Sequence, residues 1–218
     1  MSNHALIKRW QTLHEETENH GATLLAVSKY HSDDEVAVLA RAGQRDFGES
    51  RPQALRDRAQ KFPHLHWHMI GPVQRNKAKY VGRYAAMWHS LCDIDVAREV
   101  AGYVENRQLP VLLQINISGE KQKYGVAPEE ALSLLNAVKA LPELKVVGLM
   151  GMAAKSVEGD DEQAVRASFR MLRNLRDELA DESLGELCMG MSGDFRIAME
   201  EGATMVRLGT VLFGPSDE

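Results

Sequence analysis

Short apolar runs alternate with longer amphipathic segments along the chain, and eight of these runs predict β-strands. Runs such as VLLQI and VVGLM are continuously apolar, which is typical of parallel strands that are covered on both faces. The predicted strands are Thr23–Val27, Arg45–Phe47, His66–Ile70, Met87–Leu91, Val111–Ile115, Lys145–Met150, Glu186–Met189 and Met205–Leu208.

The segments between these runs have the spacing of amphipathic helices. Asp33–Arg41 opens with acidic residues, which stabilise the first turn of a helix. Pro128 suits the first position of a helix that must end before Pro142. The apolar stripes expected to face the core are Leu6, Trp10 and Leu13 at the N-terminus, then Leu132, Leu135 and Val138, and finally Val165, Phe169, Leu172, Leu175 and Leu179.

Eightfold alternation of strand and helix predicts an α/β fold, a single-domain (β/α)8 TIM-type barrel over residues 1–218. Seven helices follow the first seven strands, and the additional N-terminal helix would fill the eighth outer position. The rival fold is an open doubly wound sheet. That fold normally has a glycine-rich first turn, whereas the first turn here reads SKYHSDD.

Composition narrows the classes of partner. The chain has 26 Lys and Arg against 31 Asp and Glu, and this net charge of −5 argues against a nucleic-acid partner. We expect no membrane partner, because no apolar stretch approaches the roughly 20 residues of a membrane span. Cys92 and Cys188 lie in apolar runs as buried thiols of a reducing compartment, so we expect a cytoplasmic protein.

Candidate chemistry gathers where the predicted strands end, because barrel active sites lie at the C-terminal ends of the strands. Ser192 follows the seventh strand in MSGD, while Arg207, Gly209 and Thr210 end the eighth in RLGT. Glycines let backbone N–H groups approach an anion, and hydroxyls add donors. These two loops therefore predict a phosphate site.

Lys29 ends the first strand, which neighbours the eighth in a closed barrel. It allows two interpretations. In the first, the lysine has no covalent role: its ammonium is a counter-charge for the phosphate, or it is a surface lysine whose methylene groups lie on apolar atoms. The other is a lysine that forms a Schiff base with a carbonyl group.

Three histidines in HLHWHMIG suggest a function of another class. His64, His66 and His68 have the period of one strand face, and three such side chains can bind a metal. Asp194 and Glu49 are the nearby acidic candidates for a metal-dependent hydrolase. The alternative is a histidine, His68, that lines the barrel with both nitrogens hydrogen-bonded.

Two basic segments are interpreted as structural. RPQALRDRAQK, residues 51–61, is expected to form the solvated face of the second strand-following helix. QRNKAKYVGRY, residues 74–84, combines basic and aromatic residues, but the overall acidity argues against a nucleic-acid role.

Seven motifs, in order and over nearly the whole chain, resemble the pyridoxal phosphate homeostasis protein family, which folds like the N-terminal barrel of alanine racemase. The motifs are LLAVSK (24–29), AGQRDFGE (42–49), WHMIGPVQRNK (67–77), LLQINISGEKQKYG (112–125), LKVVGLMGM (144–152), MGMSGDFRIAMEEG (189–202) and MVRLGTVLFG (205–214).

The resemblance implies that pyridoxal 5′-phosphate (PLP) is bound to Lys29 as an internal aldimine. It also implies that Arg207 approaches the pyridine nitrogen and that Ser192, Gly209 and Thr210 hold the phosphate. A guanidinium cannot accept the pyridinium proton, so the ring nitrogen would stay unprotonated. The cofactor would then be a weaker electron sink than one paired with a carboxylate.

The chain departs from the family pattern at Ser50, where the usual FGEN reads FGES. If the family's Asn contacts the ring hydroxyl, Ser50 must do so with a shorter side chain or through water. Asn116 lies in a matching motif at the expected barrel mouth, but the sequence assigns it no contact.

The resemblance implies a PLP carrier or buffer that supports amino-acid and keto-acid balance, with PLP-dependent apo-enzymes as candidate recipients. We expect a monomer without robust catalytic activity, because the length leaves no room for the second domain that supplies alanine racemase with its other base. A weak PLP-dependent amino-acid racemase is the alternative.

Overall fold

The computed structural model describes residues 3–119, 124–153 and 162–215, and within them eight parallel strands close into a barrel. The strands follow one another around the barrel in chain order. This closure confirms the predicted fold and excludes the open sheet. The strands are β1 Thr23–Val27, β2 Asp46–Glu49, β3 His66–Met69, β4 Met87–Leu91, β5 Leu109–Ile115, β6 Leu144–Gly151, β7 Glu186–Cys188 and β8 Met205–Leu208.

The second strand differs most from its predicted bounds, because it continues through Gly48 and Glu49. Gly48 interrupts the apolar pattern of the sequence there, but it belongs to the strand and is needed for packing. A Cβ at Gly48 would lie 3.2 Å from Ile70 and 3.4 Å from Leu25. The strand therefore uses glycine to leave room for two side chains inside the barrel.

The barrel is surrounded by helices, as the sequence predicts. One helix follows each of β1 to β7, and only a short one follows β8 within the described chain. The helices are α1 Asn3–Asn19, α2 Asp33–Ala42, α3 Pro52–Lys61, α4 Ala78–Tyr84, α5 Ile94–Ala101, α6 Ala131–Lys139, α7 Glu162–Leu179, α8 Phe195–Glu200 and α9 Thr210–Phe213.

The N-terminal helix fills the eighth outer position. Helix α1 packs against α2, β1 and α9, and its Glu16 pairs with Arg196 of α8. Trp10 donates its indole N–H to Gln44 (2.7 Å), whose amide donates in turn to the backbone of β1 and β2. This buried polar contact fixes the helix to the barrel wall.

Two helices show where local sequence signals succeed and where they fail. Helix α2 begins with a capping box, in which Ser32 and Glu35 satisfy each other's backbone N–H groups. The stripe expected on α6 is wrong at Leu132, which is 54% exposed. The buried stripe is Ala131, Leu134, Leu135 and Val138, and its first member is too small to stand out in the apolar pattern.

Apolar side chains form two layers. The larger core lies between the strands and the helices and includes Trp67, Trp88 and Phe169. A smaller cluster fills the inside of the barrel with Leu25, Leu112, Met150, Cys188 and Met205. Cys188 is buried and Cys92 half-buried, and both are free thiols. None of the described helices is long and apolar enough to span a membrane.

A cleft at the mouth of the barrel

A cleft of about 440 Å³ opens at the C-terminal ends of the strands. It brings together the five residues predicted to bind the cofactor, which are Lys29, Ser192, Arg207, Gly209 and Thr210. The register of the closing strands explains this, because Leu25 of β1 lies opposite Arg207 of β8. The remaining lining residues are Val27, Ser50, Ile70, Gly71, Met152, Met191 and Gly193.

The loops after β7 and β8 are tied to each other. The hydroxyl of Ser192 accepts a hydrogen bond from the backbone N–H of Val211 (3.2 Å). Asp194 accepts one from the N–H of Met191 (2.6 Å), and burial raises the pKa of this carboxyl above its ordinary value. Both predicted phosphate loops are thus held in one arrangement on one side of the cleft.

Arg207 is a buried cation at the inner end of the cleft and is only 5% exposed. Its Nε and Nη2 are buried and have no hydrogen-bond partner among the described residues. Buried donors are almost always paired, and leaving one unpaired costs free energy. Arg207 is therefore arranged to meet an acceptor that the described residues do not supply.

Lys29 lies at the rim of the cleft, in the turn that follows β1. Its side chain is exposed, and Nζ is 5.6 Å from the centroid of the Tyr30 ring. Tyr30 has φ of +69°, a left-handed conformation that is rare for a bulky residue. Such backbone strain is concentrated at functional sites.

Ser50, the departure from the family pattern, lines the cleft beside Gly71. A Cβ at Gly71 would lie 2.1 Å from the carbonyl oxygen of Ser50, so only glycine allows the ends of β2 and β3 to approach this closely. Asn116 does not line the cleft. Its side-chain oxygen instead accepts hydrogen bonds from the backbone and hydroxyl of Ser118.

The histidines are not arranged as metal ligands. Within residues 3–119, 124–153 and 162–215, no group of three or more His, Cys, Asp or Glu side chains could hold a metal ion. His64 lies outside the strand. His66 and His68 do share a strand face, since both approach the same oxygen of Asp46, at 3.0 and 3.2 Å. Metal-dependent hydrolysis therefore has no support in the described chain.

His68 instead belongs to a hydrogen-bonded chain inside the barrel. Its Nδ1 is 2.8 Å from Nε2 of His89, and Nδ1 of His89 is 3.3 Å from the sulfur of Cys188. Burial, His68 and Arg207 hold the pKa of His89 well below its ordinary value. Burial raises the pKa of the Cys188 thiol to about 11. Arg207 is thus a buried cation next to a neutral histidine and a neutral thiol.

Sequence reasoning missed part of the site. The apolar lining, Val27, Ile70, Met152 and Met191, carried no chemical signal, although each follows or ends a predicted strand. Arg58 was assigned to a solvated helix face, but its side chain is 13% exposed and contacts Glu49. The contact joins α3 to the end of β2, and spacing along one helix cannot reveal it.

Comparison with known proteins identifies the family of this chain. The family model of the alanine racemase N-terminal domain matches residues 1–217. The pyridoxal phosphate homeostasis protein of Aquifex aeolicus is 40% identical over 200 residues, covering 88% of this chain and 86% of that protein. Its counterpart in Pseudomonas aeruginosa is 42% identical over 204 residues, covering 89% and 84%. The chain belongs to the pyridoxal phosphate homeostasis protein family.

Solved structures of a similar protein have the same architecture. PipY of Synechococcus elongatus, in its structure without PLP, superposes with a TM-score of 0.87 at 30% identity, covering 96% of this chain and all of that one. The structure of PipY with PLP bound has a TM-score of 0.84 at the same identity and coverage. The resemblance seen in the sequence motifs is therefore confirmed at the level of the family and the fold. The segment 120–123 of one motif lies outside the described residues.

Proposed function

We propose that this protein binds PLP in the cleft at the barrel mouth, as one cofactor-binding domain, and serves in the homeostasis of that cofactor. The observation that carries the proposal is Arg207, whose two buried donor atoms lack a partner among the described residues, in a cleft that also holds a lysine and two hydroxyl-bearing loops. When bound, PLP supplies an aldehyde that forms Schiff bases with amines and a ring that withdraws electrons.

Each side chain of the cleft has a role in this proposal. Lys29 provides the amine for a Schiff base with the cofactor's aldehyde. Arg207 donates a hydrogen bond to the ring nitrogen and, as a permanent cation, keeps that nitrogen unprotonated. Ser192, Gly209 and Thr210 hold the phosphate through hydroxyl and backbone donors.

The cleft favours holding the cofactor over turnover. Racemisation needs a base on each side of the substrate's Cα. Among the described residues that line the cleft, only Lys29 can accept a proton, because a guanidinium does not deprotonate in proteins. An amino-acid racemase of appreciable rate is thus the weaker alternative. The comparison of family members also supports the role in homeostasis, since it is the name that these relatives carry.

The test is spectroscopic. Purified protein saturated with PLP should show the visible absorption of a Schiff base, and borohydride should fix the cofactor on Lys29. Lys29→Ala should abolish both. Lys145→Ala, which removes an exposed lysine at the start of β6, at the opposite end of the barrel, is the matched control and should behave like wild type.

Two results would overturn the proposal. Absence of a Schiff-base absorption in saturated wild type would remove the proposed attachment. Rapid exchange of Cα hydrogen for deuterium in an offered amino acid, with loss of chirality, would replace cofactor holding by catalysis.

The cellular part of the proposal is that a cytoplasmic monomer keeps free PLP low and supplies apo-enzymes, which in turn affects amino-acid and keto-acid balance. Free thiols at Cys92 and Cys188 support a reducing compartment. Cells that lack the protein should show altered free PLP and 2-keto acids, restored by wild type but not by Lys29→Ala. Equal restoration by both would contradict a role for Lys29.

A further inference from the structure

The four residues Ser28–His31, here called the Lys29 turn, carry the lysine at the rim of the cleft. The turn is closed by a hydrogen bond from the N–H of His31 to the carbonyl oxygen of Ser28 (3.0 Å). Within it Tyr30 has the strained φ of +69°. Strain of this kind persists only where surrounding contacts determine the conformation, so the turn needs support from outside.

The first support comes from the end of β2. Ser28 is fully buried, and its hydroxyl donates to Oε1 of Glu49 (2.8 Å). The Ser28 N–H donates to the carbonyl oxygen of Gly48 (3.1 Å). Glu49 is itself only 3% exposed, and burial raises its pKa. These contacts fix the beginning of the Lys29 turn.

The second support is Arg58 of α3, and it reaches both ends of the turn. Its Nε lies 3.6 Å from Oε1 of Glu49, the oxygen that holds Ser28. Its Nη2 donates to the carbonyl oxygen of His31, and its Nη1 donates to Asp33 at the start of α2. A planar guanidinium with donors in a fixed fork can make all three contacts at once, which a lysine cannot.

The turn also contacts α9, which follows the neighbouring strand β8. The ring of His31 stacks on Phe213 of α9 with centroids 4.2 Å apart. Phe213 closes the segment that begins with Gly209 and Thr210. The Lys29 turn is therefore held between α3 and the loop proposed to bind the phosphate.

Lys29 itself has no hydrogen bond or ion pair with any described residue, so the turn is what sets the point on the rim from which its side chain reaches into the cleft. We propose that Arg58 is the positioning residue for Lys29, holding both ends of the turn so that Nζ meets the cofactor's aldehyde. This inference rests on the proposed function. In the step concerned, the neutral amine adds to the aldehyde carbon, a C=N bond forms, and the carbonyl oxygen leaves with the two amine protons as water.

The test compares two ligands. PLP can bond to Lys29, whereas 4′-deoxypyridoxine 5′-phosphate has the same ring and phosphate but no aldehyde. We expect Arg58→Met to weaken PLP binding and slow its borohydride-trappable capture by roughly 10- to 100-fold, since small misplacements of a reacting group have effects of this size. Binding of the deoxy analogue should change by less than about twofold, because the ring and phosphate contacts stay in place.

Two variants are controls. Arg56→Met removes an arginine of the same helix that pairs with Asp57 and stacks on Tyr80, away from the turn, and should behave like wild type. In the Lys29→Ala background, Arg58→Met should have no further effect on PLP binding. If Arg58→Met does not fold, Arg58→Met with Glu49→Gln removes the unpaired carboxylate and takes its place.

The outcomes are distinct. Equal losses for PLP and the analogue, no loss for either, or a full effect in the Lys29→Ala background would each overturn the positioning role. Failure of wild type and Arg56→Met to bind either ligand would instead refute the proposed function itself.

Discussion

Among single residues, Arg207 combines burial, charge and unpaired donors in a way that links stability to ligand binding. Its guanidinium lies beside a neutral histidine and a neutral thiol, and Nε and Nη2 have no partner in the described chain. In the cofactor-free protein these donors carry a desolvation cost. The residue should therefore weaken the free protein while strengthening the complex.

Arg207→Met is expected to separate these two effects. Without PLP, the variant should gain about 1–3 kcal/mol in the free energy of unfolding, because unsatisfied donors are removed. Its affinity for PLP should fall by roughly 10- to 100-fold, the value of a lost hydrogen bond to a charged donor. Urea unfolding and absorbance titration measure the two quantities.

Arg166→Met is the control for this comparison, since Arg166 pairs with Glu162, Glu200 and Glu201 and has its donors satisfied. That variant should lose stability. A similar loss in Arg207→Met would contradict the cost assigned to the unpaired donors.

Residues at strand ends were the part of the site that the sequence could reveal. Lys29 and Arg207 lie at the ends of neighbouring strands, and barrel geometry alone predicts that both line the same mouth. The contact between Arg58 and Glu49 was beyond such reasoning, because Glu49 was considered only as a possible metal ligand and Arg58 was assigned to a solvated helix face. Tyr30 gave no signal either, since a left-handed backbone at a tyrosine is imposed by its surroundings.

At the level of elements, the ends of β2 and β3 are held together by a close backbone approach. Gly71 lies against the carbonyl oxygen of Ser50, and no side chain fits between them. Both residues line the cleft, so the spacing of these two strands also sets one wall of the site.

Gly71→Ala should force these strand ends apart. We expect a loss of about 2–3 kcal/mol in the free energy of unfolding, as for other overpacked positions, together with weaker PLP binding. Gly185→Ala is the matched control, because a Cβ there would meet no atom within 4 Å. Chemical denaturation measures the free energy of unfolding of both variants. Equal values would show that the strand ends can move apart at no cost.

Strands were easier to predict than the faces of helices. Short apolar runs identified all eight strands, and the clearest were continuous runs such as VLLQI and VVGLM, since a strand buried on both faces has few polar residues. Helix α6 was less clear because its buried face begins with Ala131, while the larger Leu132 points outward. Side-chain size in the sequence does not tell which face the neighbouring elements cover.

For the molecule as a whole, one buried carboxylate should contribute to stability in acid. Glu201, which follows α8, is 3% exposed and pairs with Arg166, Arg170 and Arg173 of α7 at 3.0, 3.0 and 3.4 Å. Burial alone would raise its pKa, but the arginines hold it below 4.5. A depressed pKa contributes stability that is complete above pH 4.5 and is lost as the pH falls through the folded value.

Glu201→Gln should therefore lower the free energy of unfolding by about 1–2 kcal/mol at pH 7, with a difference that shrinks below pH 4. Glu200→Gln, at a half-exposed carboxylate that also pairs with Arg166, should change little. Urea unfolding from pH 3 to pH 7 provides the measurement. A constant difference across that range would show that Glu201 acts through packing alone.

The pairing of β1 with β8 also orders events during synthesis. β1 leaves the ribosome well before β8, because Arg207, which lies opposite Leu25, emerges about 180 residues later. Until then the cleft lacks its wall of Arg207, Gly209 and Thr210. A nascent chain should thus be unable to bind the cofactor until β8 has paired with β1. Bound PLP would therefore indicate that the barrel has closed.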